Sequence, residues 1–288
     1  MYIEDVKTIA VIGAGNMGHQ IALHAAICGF KVSCTDISPD MLSKADAFVD
    51  RYLPERVAKG RLTAEQAQTV RANIGFTEDL GKAVGNADYV IEAVIEQIDA
   101  KRAIFAQLDA LAPPHAILAS NSSMIVASRF ADATKRPDKV LNLHFFNPAL
   151  VMKLVEVVQG PHASDATAHL SMQLCRKLGK EPVHVKKEVA GFLLNRIFKA
   201  ILKEAEWLHE MGVASFEDID KACVFGAGHP MGPFRLNDLT GLDLAYLMDM
   251  EAFRASGDPA DLPRPALVAR YAQGNYGEKS GKGWYNYS

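Results

Sequence analysis

A glycine-rich loop near the N-terminus, GAGNMG over residues 13–18, is the feature that most constrains how this chain folds. The apolar run 9–12 precedes the loop, a helical pattern over residues 18–28 follows it, and a second apolar run over residues 30–35 ends on Asp36. Strand, glycine loop, helix, strand and acid in this order are typical of a dinucleotide-binding βαβ unit. We therefore expect a parallel sheet to begin here, with a dinucleotide at its first turn.

Each glycine of the loop has a separate task in the predicted site. Gly13 permits the tight turn, Gly15 lets the backbone approach a pyrophosphate, and Gly18 lets the helix pack close to the strand. The helix N-terminus adds free N–H groups and the positive end of its dipole. With Asn16 and Met17 between them, these glycines are predicted cofactor contacts.

Asp36 is predicted to accept hydrogen bonds from the adenosine ribose hydroxyls. Residues 37–39 are Ile-Ser-Pro and include no Arg or Lys that could hold a 2′-phosphate. NAD is therefore favoured over NADP. The alternative is an ordinary βαβ turn without a ligand, which the complete series of elements disfavours.

Composition excludes several classes of protein. The chain has 288 residues, enough for one large domain or two unequal ones, and its formal net charge of −3 would not draw nucleic acid. No apolar run approaches the roughly 20 residues of a membrane span, and the N-terminus has no pattern of a secretory signal. We expect a cytoplasmic protein without nucleic-acid or membrane partners.

The cysteines argue against a metal site or a disulfide framework. All four are scattered along the sequence and none has CxxC spacing. Such cysteines are typical of buried thiols in a reducing compartment. We predict no bound metal.

The chain changes character near residue 189. Before it, apolar runs alternate with helical patterns, and strands are predicted over residues 7–12, 31–36, 89–93, 116–119, 141–145 and 153–158. After it, apolar residues recur at helical spacing from residue 194 to residue 208. The predicted fold is α/β: an N-terminal Rossmann-type dinucleotide-binding sheet (residues 1–188) and a smaller, all-helical C-terminal domain (residues 189–288).

His144 and Glu156 are the candidates for proton transfer. His144 ends a predicted strand, where open α/β sheets bind ligands, and histidine exchanges protons near neutral pH. Glu156 interrupts the apolar run 154–158, and a buried carboxylate needs a partner. If the two strands are neighbours, Glu156 can orient the imidazole. The alternatives are a histidine packed at a strand end and an edge-strand glutamate that faces water.

Three weaker signals concern ligand contacts. Residues 121–123, Asn-Ser-Ser, follow a predicted strand and could bind a carbonyl oxygen or a ribose, or form a plain polar turn. Asn195 lies in an apolar helical pattern and is either a link between domains or a substrate contact. The basic run 51–61 could hold phosphates or form a solvated helix face.

Taken together, these segments resemble the 3-hydroxyacyl-CoA dehydrogenase family, in its short single-function form, over nearly the whole chain. The resemblance rests on GAGNMG (13–18), EAVIE (92–96), SNSS (120–123), HFFNP (144–148), VMKLVE (151–156), GAGHPMGPF (226–234) and KSGKGWY (279–285). The glycine motif alone is generic, whereas the HFFNP–MKLVE and GHPMGPF blocks together are highly specific.

The resemblance implies an enzyme that interconverts (S)-3-hydroxyacyl-CoA and 3-oxoacyl-CoA with NAD, most closely 3-hydroxybutyryl-CoA and acetoacetyl-CoA, and that forms a homodimer through its helical domain. It implies that His144 is the general base or acid with Glu156 as its partner, that Ser123 and Asn195 hold the reacting oxygen, and that Lys59 contacts a coenzyme A phosphate. The residues that it places around NAD are Asp36, Ala93, Glu96, Lys101, Asn121, Ser123, Asn147 and Lys279.

Several positions depart from the family pattern. Met124 replaces the second hydroxyl after Ser123, Leu150 stands where proline is common, and the pairs at residues 199–200 and 206–207 differ on the first long helix of the second domain. These changes bear on acyl-chain preference and leave the proton chemistry intact. Two other functions remain open: a related dehydrogenase of a free hydroxyacid, such as a sugar acid, and a non-catalytic NAD-binding protein.

Overall fold

The computed structural model of the protein describes residues 1–287. Its internal contacts divide the chain into two compact units, one from Met1 to Leu193 and one that begins at Leu194. We call them the sheet unit and the helical unit. The sheet and helices found here confirm the predicted fold class.

The sheet unit is built on one eight-stranded sheet with the order β3-β2-β1-β4-β5-β6-β7-β8. All neighbouring strands are parallel except β6 and β7, which are antiparallel. From β1 the chain first adds β2 and β3 on one side and then β4 on the other, so the strand order reverses between β1 and β4. Ligands of such sheets bind beyond the carboxyl ends of the strands at this point. The strands are β1 (Thr8–Ile12), β2 (Lys31–Thr35), β3 (Ile74–Thr77), β4 (Tyr89–Glu92), β5 (Ile117–Ser120), β6 (Val140–Phe145), β7 (Leu154–Val158) and β8 (Glu181–Val185).

Six helices complete the sheet unit, and local sequence signals set several of their starts. The Ser38 side chain caps α2, which begins at Pro39, and Thr63 and Gln66 form a reciprocal capping box at α3. The helices are α1 (Asn16–Ile27), α2 (Pro39–Ala58), α3 (Ala64–Asn73), α4 (Leu80–Val84), α5 (Ile98–Leu111) and α6 (Asp165–Lys177).

Strands β3 and β8 were not predicted from the sequence. They are the two edges of the sheet, and only one residue of each is buried. A short edge strand has one paired neighbour and little buried surface, so its hydrophobic pattern is weak. The predicted strands are present, with ends that differ by about one residue because ladder hydrogen bonds, not side-chain hydrophobicity, set them.

Residues 189–193 stay with the sheet unit, although the sequence places the change of character at residue 189. Phe192 is fully buried and clusters with Val158 and Val185, and the Leu193 N–H donates to the Glu156 carboxylate at 3.0 Å. Long-range packing of this kind has no local signature.

The helical unit contains α7 (Leu194–Glu210), α8 (Phe216–Lys221), α9 (Pro233–Thr240), α10 (Leu242–Ser256) and α11 (Pro265–Ala272), with a π-helical turn over Ala222–Gly226. Its core is formed by one buried side chain from each of these five helices and one from the C-terminal segment: Ala205, Ile219, Phe234, Leu242, Leu267 and Trp284. None of the helices within residues 1–287 is both long and apolar enough to cross a membrane.

Candidate active site

The glycine loop forms a cradle between the end of β1 and the start of α1. Gly13 has φ +101°, and a Cβ atom there would come within 2.6 Å of the Ala93 carbonyl oxygen. A Cβ at Gly18 would lie 1.8 Å from the Gly13 carbonyl oxygen. At Gly15, by contrast, a Cβ would meet no atom within 4 Å. Packing therefore requires Gly13 and Gly18, while the open space over Gly15 at the helix N-terminus fits a pyrophosphate.

Asp36 lies directly after β2 and supports this loop. Its carboxylate accepts the Ala14 N–H at 2.7 Å and the Ser38 N–H at 2.9 Å. Each carboxylate oxygen accepts one of these bonds and has capacity for another, so the group can still accept ribose hydroxyls. The residues present at the loop and at Asp36 fit a dinucleotide without a 2′-phosphate.

Strand register brings the other predicted contacts to the same edge of the sheet. Ile12 pairs with Glu92, Glu92 with Ser120, and Ser120 with Asn142, so the loops after β1, β4 and β5 leave the sheet side by side. The Asn121 Oδ1 accepts the Phe145 N–H at 2.9 Å, which ties the loop after β5 to the end of β6.

Two asparagines connect the glycine loop to the loop after β6. The Asn16 amide donates to the Asn147 Oδ1 at 3.0 Å. Met17, next to Asn16, packs against the main core of the sheet unit. The structure therefore brings Asn16 and Asn147 together, whereas the Met17 side chain packs mainly against the core.

His144 and Glu156 face each other across the antiparallel strands β6 and β7. The His144 Nδ1 lies 2.8 Å from the Glu156 Oε2, and both residues are buried. An ionised carboxylate has no hydrogen to give, so Nδ1 donates and Nε2 is left as the proton acceptor. Among the residues that the structure describes, Nε2 has no hydrogen-bond partner. The ring packs against Phe146 and Phe192, with centroids 4.4 and 5.5 Å away.

Ser123 lies at the tip of the loop after β5 and is partly exposed. Within residues 1–287 its hydroxyl makes no hydrogen bond, unlike that of Ser122 beside it. A hydroxyl without an internal partner is suited to bind a ligand oxygen.

Glu96 and Lys101 occupy the loop after β4 and the first turn of α5. The Lys101 ammonium is buried, 2.8 Å from Glu92 and 3.3 Å from Glu96. Burial by itself would raise the pKa of the Glu96 carboxyl, but the charge of Lys101 and hydrogen bonds from the 122–125 loop outweigh it and hold this pKa below its usual value. Glu96 is therefore an anion at neutral pH. Both carboxylates engage the Lys101 ammonium inside the protein, and its predicted contact with NAD stays a prediction.

A cavity of about 420 Å³ lies between the glycine loop and α2. Basic and aromatic side chains share its lining with the loop: His19, Lys44, Phe48 and Arg51. The Arg51 guanidinium lies over the Phe48 ring at 5.5 Å, and no salt bridge involves it in the described part of the chain. Lys59 is exposed at the C-terminal end of α2, also without an ion-pair partner there.

The remaining two predicted residues belong to the helical unit. Asn195 lies in the first turn of α7 and is partly buried. Lys279 lies in a short 3-10 turn, where its ammonium is 2.6 Å from the Asp243 carboxylate.

In residues 1–287 no cluster of three or more His, Cys, Asp or Glu side chains could hold a metal ion.

Sequence reasoning gave no role to Glu92, which is fully buried at the end of β4 and binds Lys101 and Ser120. A sequence signal for Glu92 was present, because this carboxylate ends the apolar run 89–91, as Glu156 interrupts its own strand.

The sequence analysis also assigned no role to Lys180. Its buried ammonium donates to the carbonyls of Ala149 and Met152 and so holds the loop between β6 and β7.

Comparison with known proteins gives matches over almost the whole chain. The family model described as 3-hydroxyacyl-CoA dehydrogenase, NAD binding domain, matches residues 8–189. The model described as 3-hydroxyacyl-CoA dehydrogenase, C-terminal domain, matches residues 191–287.

Individual relatives show the same extent of similarity. The mitochondrial hydroxyacyl-coenzyme A dehydrogenase of Rattus norvegicus is 38% identical over 98% of this chain and 91% of its own. A probable 3-hydroxybutyryl-CoA dehydrogenase of Bacillus subtilis is 39% identical over 98% of each chain. The crystal structure of (S)-3-hydroxybutyryl-CoA dehydrogenase from Ralstonia eutropha superposes with a TM-score of 0.92 at 35% identity, covering 99% of this chain and 100% of that one.

Proposed function

The chain belongs to the 3-hydroxyacyl-CoA dehydrogenase family, an NAD-dependent enzyme family, and we propose that it interconverts (S)-3-hydroxybutyryl-CoA and acetoacetyl-CoA. The observation that carries the proposal is the buried His144–Glu156 pair, with Nε2 unpartnered among the described residues, in the same unit as the glycine cradle. NAD, when bound, would accept or supply the hydride at carbon 3 of the substrate.

His144 handles the proton in this proposal. In oxidation its Nε2 takes the proton of the 3-hydroxyl, and in reduction it returns the proton to the 3-oxo oxygen. Glu156 holds the Nδ1 proton throughout, which sets the tautomer, and its negative charge stabilises the imidazolium that forms. The buried setting strengthens this electrostatic effect.

Polar groups without an internal role hold the reacting oxygen. We assign this task to the Ser123 hydroxyl and the Asn195 amide. The proposed contacts of NAD combine the glycine loop with polar and small residues: Gly13, Gly15, Asn16, Met17, Gly18, Asp36, Ala93, Glu96, Lys101, Asn121, Ser123, Asn147 and Lys279.

The coenzyme A part of the substrate needs local positive charge, because the protein as a whole is acidic. Lys44 and Arg51 line the cavity beside the glycine loop, and Lys59 is exposed further along α2. An Arg guanidinium over an aromatic ring and an unpaired Lys are suited to phosphate and adenine groups. We propose that this face of α2 binds coenzyme A, with Lys59 on a phosphate.

The proposed assembly is a homodimer formed by the helical unit. Large apolar side chains are exposed on α7 and just after it, with Ile197 54%, Trp207 40% and Met211 63% exposed. Such a surface is typical of a protein–protein interface. The cytoplasm is the proposed location of the enzyme.

A free hydroxyacid is the second candidate substrate, since the His–Glu pair would act on it in the same way. The test mixes the enzyme with NADH and either acetoacetyl-CoA or free acetoacetate, and follows NADH absorbance at 340 nm. We expect rapid oxidation with the CoA ester and at least about 100-fold lower kcat/KM with the free acid, since the acid lacks the CoA binding energy.

A series of 3-oxoacyl-CoA esters of increasing length in the same assay gives the chain preference. Equal kcat/KM for acetoacetate and acetoacetyl-CoA would contradict the CoA assignment. No turnover of any ester in the series would overturn the proposed reaction.

A further inference from the structure

Five residues at the carboxyl ends of β4 and β5 form a closed ring of hydrogen bonds and ion pairs, to which Ser122 contributes both its hydroxyl and its backbone N–H. This ring is here called the carboxylate ring, and its members are Glu92, Lys101, Glu96, Ser122 and Ser120. Four of the five are buried, and Glu96 is partly exposed. Of these five residues, the family resemblance places only Glu96 and Lys101 around the cofactor, and only as separate contacts.

Glu92 is the deepest member and binds on three sides. Its carboxylate accepts the Lys101 ammonium at 2.8 and 3.0 Å, the Ser120 hydroxyl at 2.5 Å and the Val94 N–H at 2.7 Å. These partners lie on α5, on β5 and on the loop after β4. One buried carboxylate therefore joins three segments of the chain.

Glu96 closes the ring on the side of the 121–125 loop, which contains Ser123. Its Oε1 accepts the Ser122 hydroxyl and the N–H groups of Met124 at 3.0 Å and Ile125 at 3.3 Å. The Ser122 N–H in turn donates to the Ser120 hydroxyl at 3.1 Å. Residues on both sides of Ser123 are thus held, while Ser123 itself has no internal partner in the described chain.

Burying the Glu92 carboxylate and the Lys101 ammonium is expensive in free energy, and a buried ion pair is often no more stable than a well-packed apolar pair. A gain in stability is therefore a poor reason for this arrangement. The ring instead fixes the geometry of the 121–125 loop. Glu96 accepts a hydrogen bond from this loop, and Glu92 accepts one from β5, the strand that leads into it.

We propose that the carboxylate ring is a positioning device, in which Glu92, Ser120 and Ser122 hold Ser123 and Asn121 in the geometry that hydride transfer requires. The inference rests on the proposed function for the role of Ser123. Displacement of a reacting group by about 1 Å lowers the rate by up to about 100-fold, so an opened ring lowers kcat even when the protein stays folded.

The test separates positioning from stability through paired substitutions. Lys101→Met leaves the buried Glu92 carboxylate without a cation, and Glu92→Gln leaves the buried Lys101 ammonium with only the partly exposed Glu96, so both lower the thermal midpoint of unfolding. The double variant Glu92→Gln/Lys101→Met removes both charges, and we expect its midpoint to return to within about 3 °C of the wild type. Its kcat stays at least about tenfold below wild type and its Kd for NADH at least about tenfold above, because Glu96 has lost the cation that anchors it.

Ser122→Ala opens the ring at the other end without changing any charge. We expect a thermal midpoint near that of the wild type, a kcat reduced by about tenfold, and a KM for acetoacetyl-CoA within about twofold of wild type, since the α2 face is untouched. Arg102→Met is the matched control: Arg102 follows Lys101 on α5 but pairs with the exposed Asp132, so its kcat should equal that of the wild type.

Recovery of the midpoint, kcat and NADH affinity together in the double variant would overturn the proposal, as would wild-type kcat in Ser122→Ala. If the wild-type enzyme turns over no 3-oxoacyl-CoA, the proposed function fails, and the ring is then judged by NADH fluorescence titration alone. Unchanged NADH affinity in the double variant would in that case reject it.

Discussion

At His144, backbone pairing and side-chain chemistry act on the same two residues. His144 and Glu156 are direct partners in the β6–β7 ladder, and opposite residues on one face of an antiparallel pair place their Cβ atoms about 5 Å apart. The 2.8 Å contact between Nδ1 and Oε2 follows from this register. Because both residues lie in strands, the orientation of the imidazole is set by the sheet and not by a flexible loop.

His144→Gln should remove the proton acceptor while keeping a side chain of similar polarity. We expect kcat with acetoacetyl-CoA and NADH to fall by about 10²- to 10⁴-fold, the range for loss of a general acid or base. The Kd for NADH, measured by fluorescence titration, should stay within about twofold of wild type. Substitution of the exposed His115 by Gln provides the control, and turnover equal to that control in His144→Gln would remove His144 from the mechanism.

Helix α7 contains an acidic residue, Glu206, in an environment that disfavours its charged form. Glu206 is buried, and within residues 1–287 neither of its carboxylate oxygens has a hydrogen-bond partner. Burial, with a smaller contribution from the nearby Asp249 and Glu210, raises the pKa of Glu206 to about 8 against the opposing charges of Lys203 and Arg264.

Glu206 should make the stability of the protein depend on pH. Between its ordinary pKa of 4.5 and about 8, the folded state keeps the proton that the unfolded chain releases, so stability falls as pH rises through this window. The full loss is on the order of 4–5 kcal/mol and is complete above pH 8. Glu206→Gln removes the titration, so we expect its thermal midpoint to exceed that of wild type by several degrees at pH 9 and to equal it near pH 5.

The comparison is made by thermal unfolding of both proteins from pH 5 to pH 9. Glu204→Gln, an exposed position on the same helix, is the matched control and should follow the wild-type curve. Parallel curves for wild type and Glu206→Gln would contradict the assignment of the pH dependence to Glu206.

On the scale of the whole molecule, association of two copies is the proposal that the exposed face of α7 supports. Trp207 is large, apolar and 40% exposed, so Trp207→Glu should place a charge in a dimer interface and separate the subunits. Light scattering should give the mass of two 31.3 kDa chains for wild type and for Glu204→Gln, and of one chain for Trp207→Glu. A single-chain mass for the wild type would reject the dimer.

Much of the sheet unit was predictable because its signals are local. The glycine loop, the acid after β2 and the apolar runs of the inner strands each lie within a few consecutive residues, and the family and NAD follow from blocks of the same kind. The pairing of His144 with Glu156 was also predicted, on the condition that their strands are neighbours, since a carboxylate in an apolar strand needs a partner.

The sequence by itself determined the α/β class, the dinucleotide loop and the family, because these depend on short patterns that local sterics and periodicity impose. Only the tertiary structure decided the edge strands β3 and β8, the burial of Glu206 and the carboxylate ring. Glu92, Lys101 and Ser122 belong to different elements, and their contacts depend on strand register and helix packing between distant segments. A local sequence pattern does not predict which residue a buried charged group contacts. In this protein, those contacts set the geometry of the 121–125 loop.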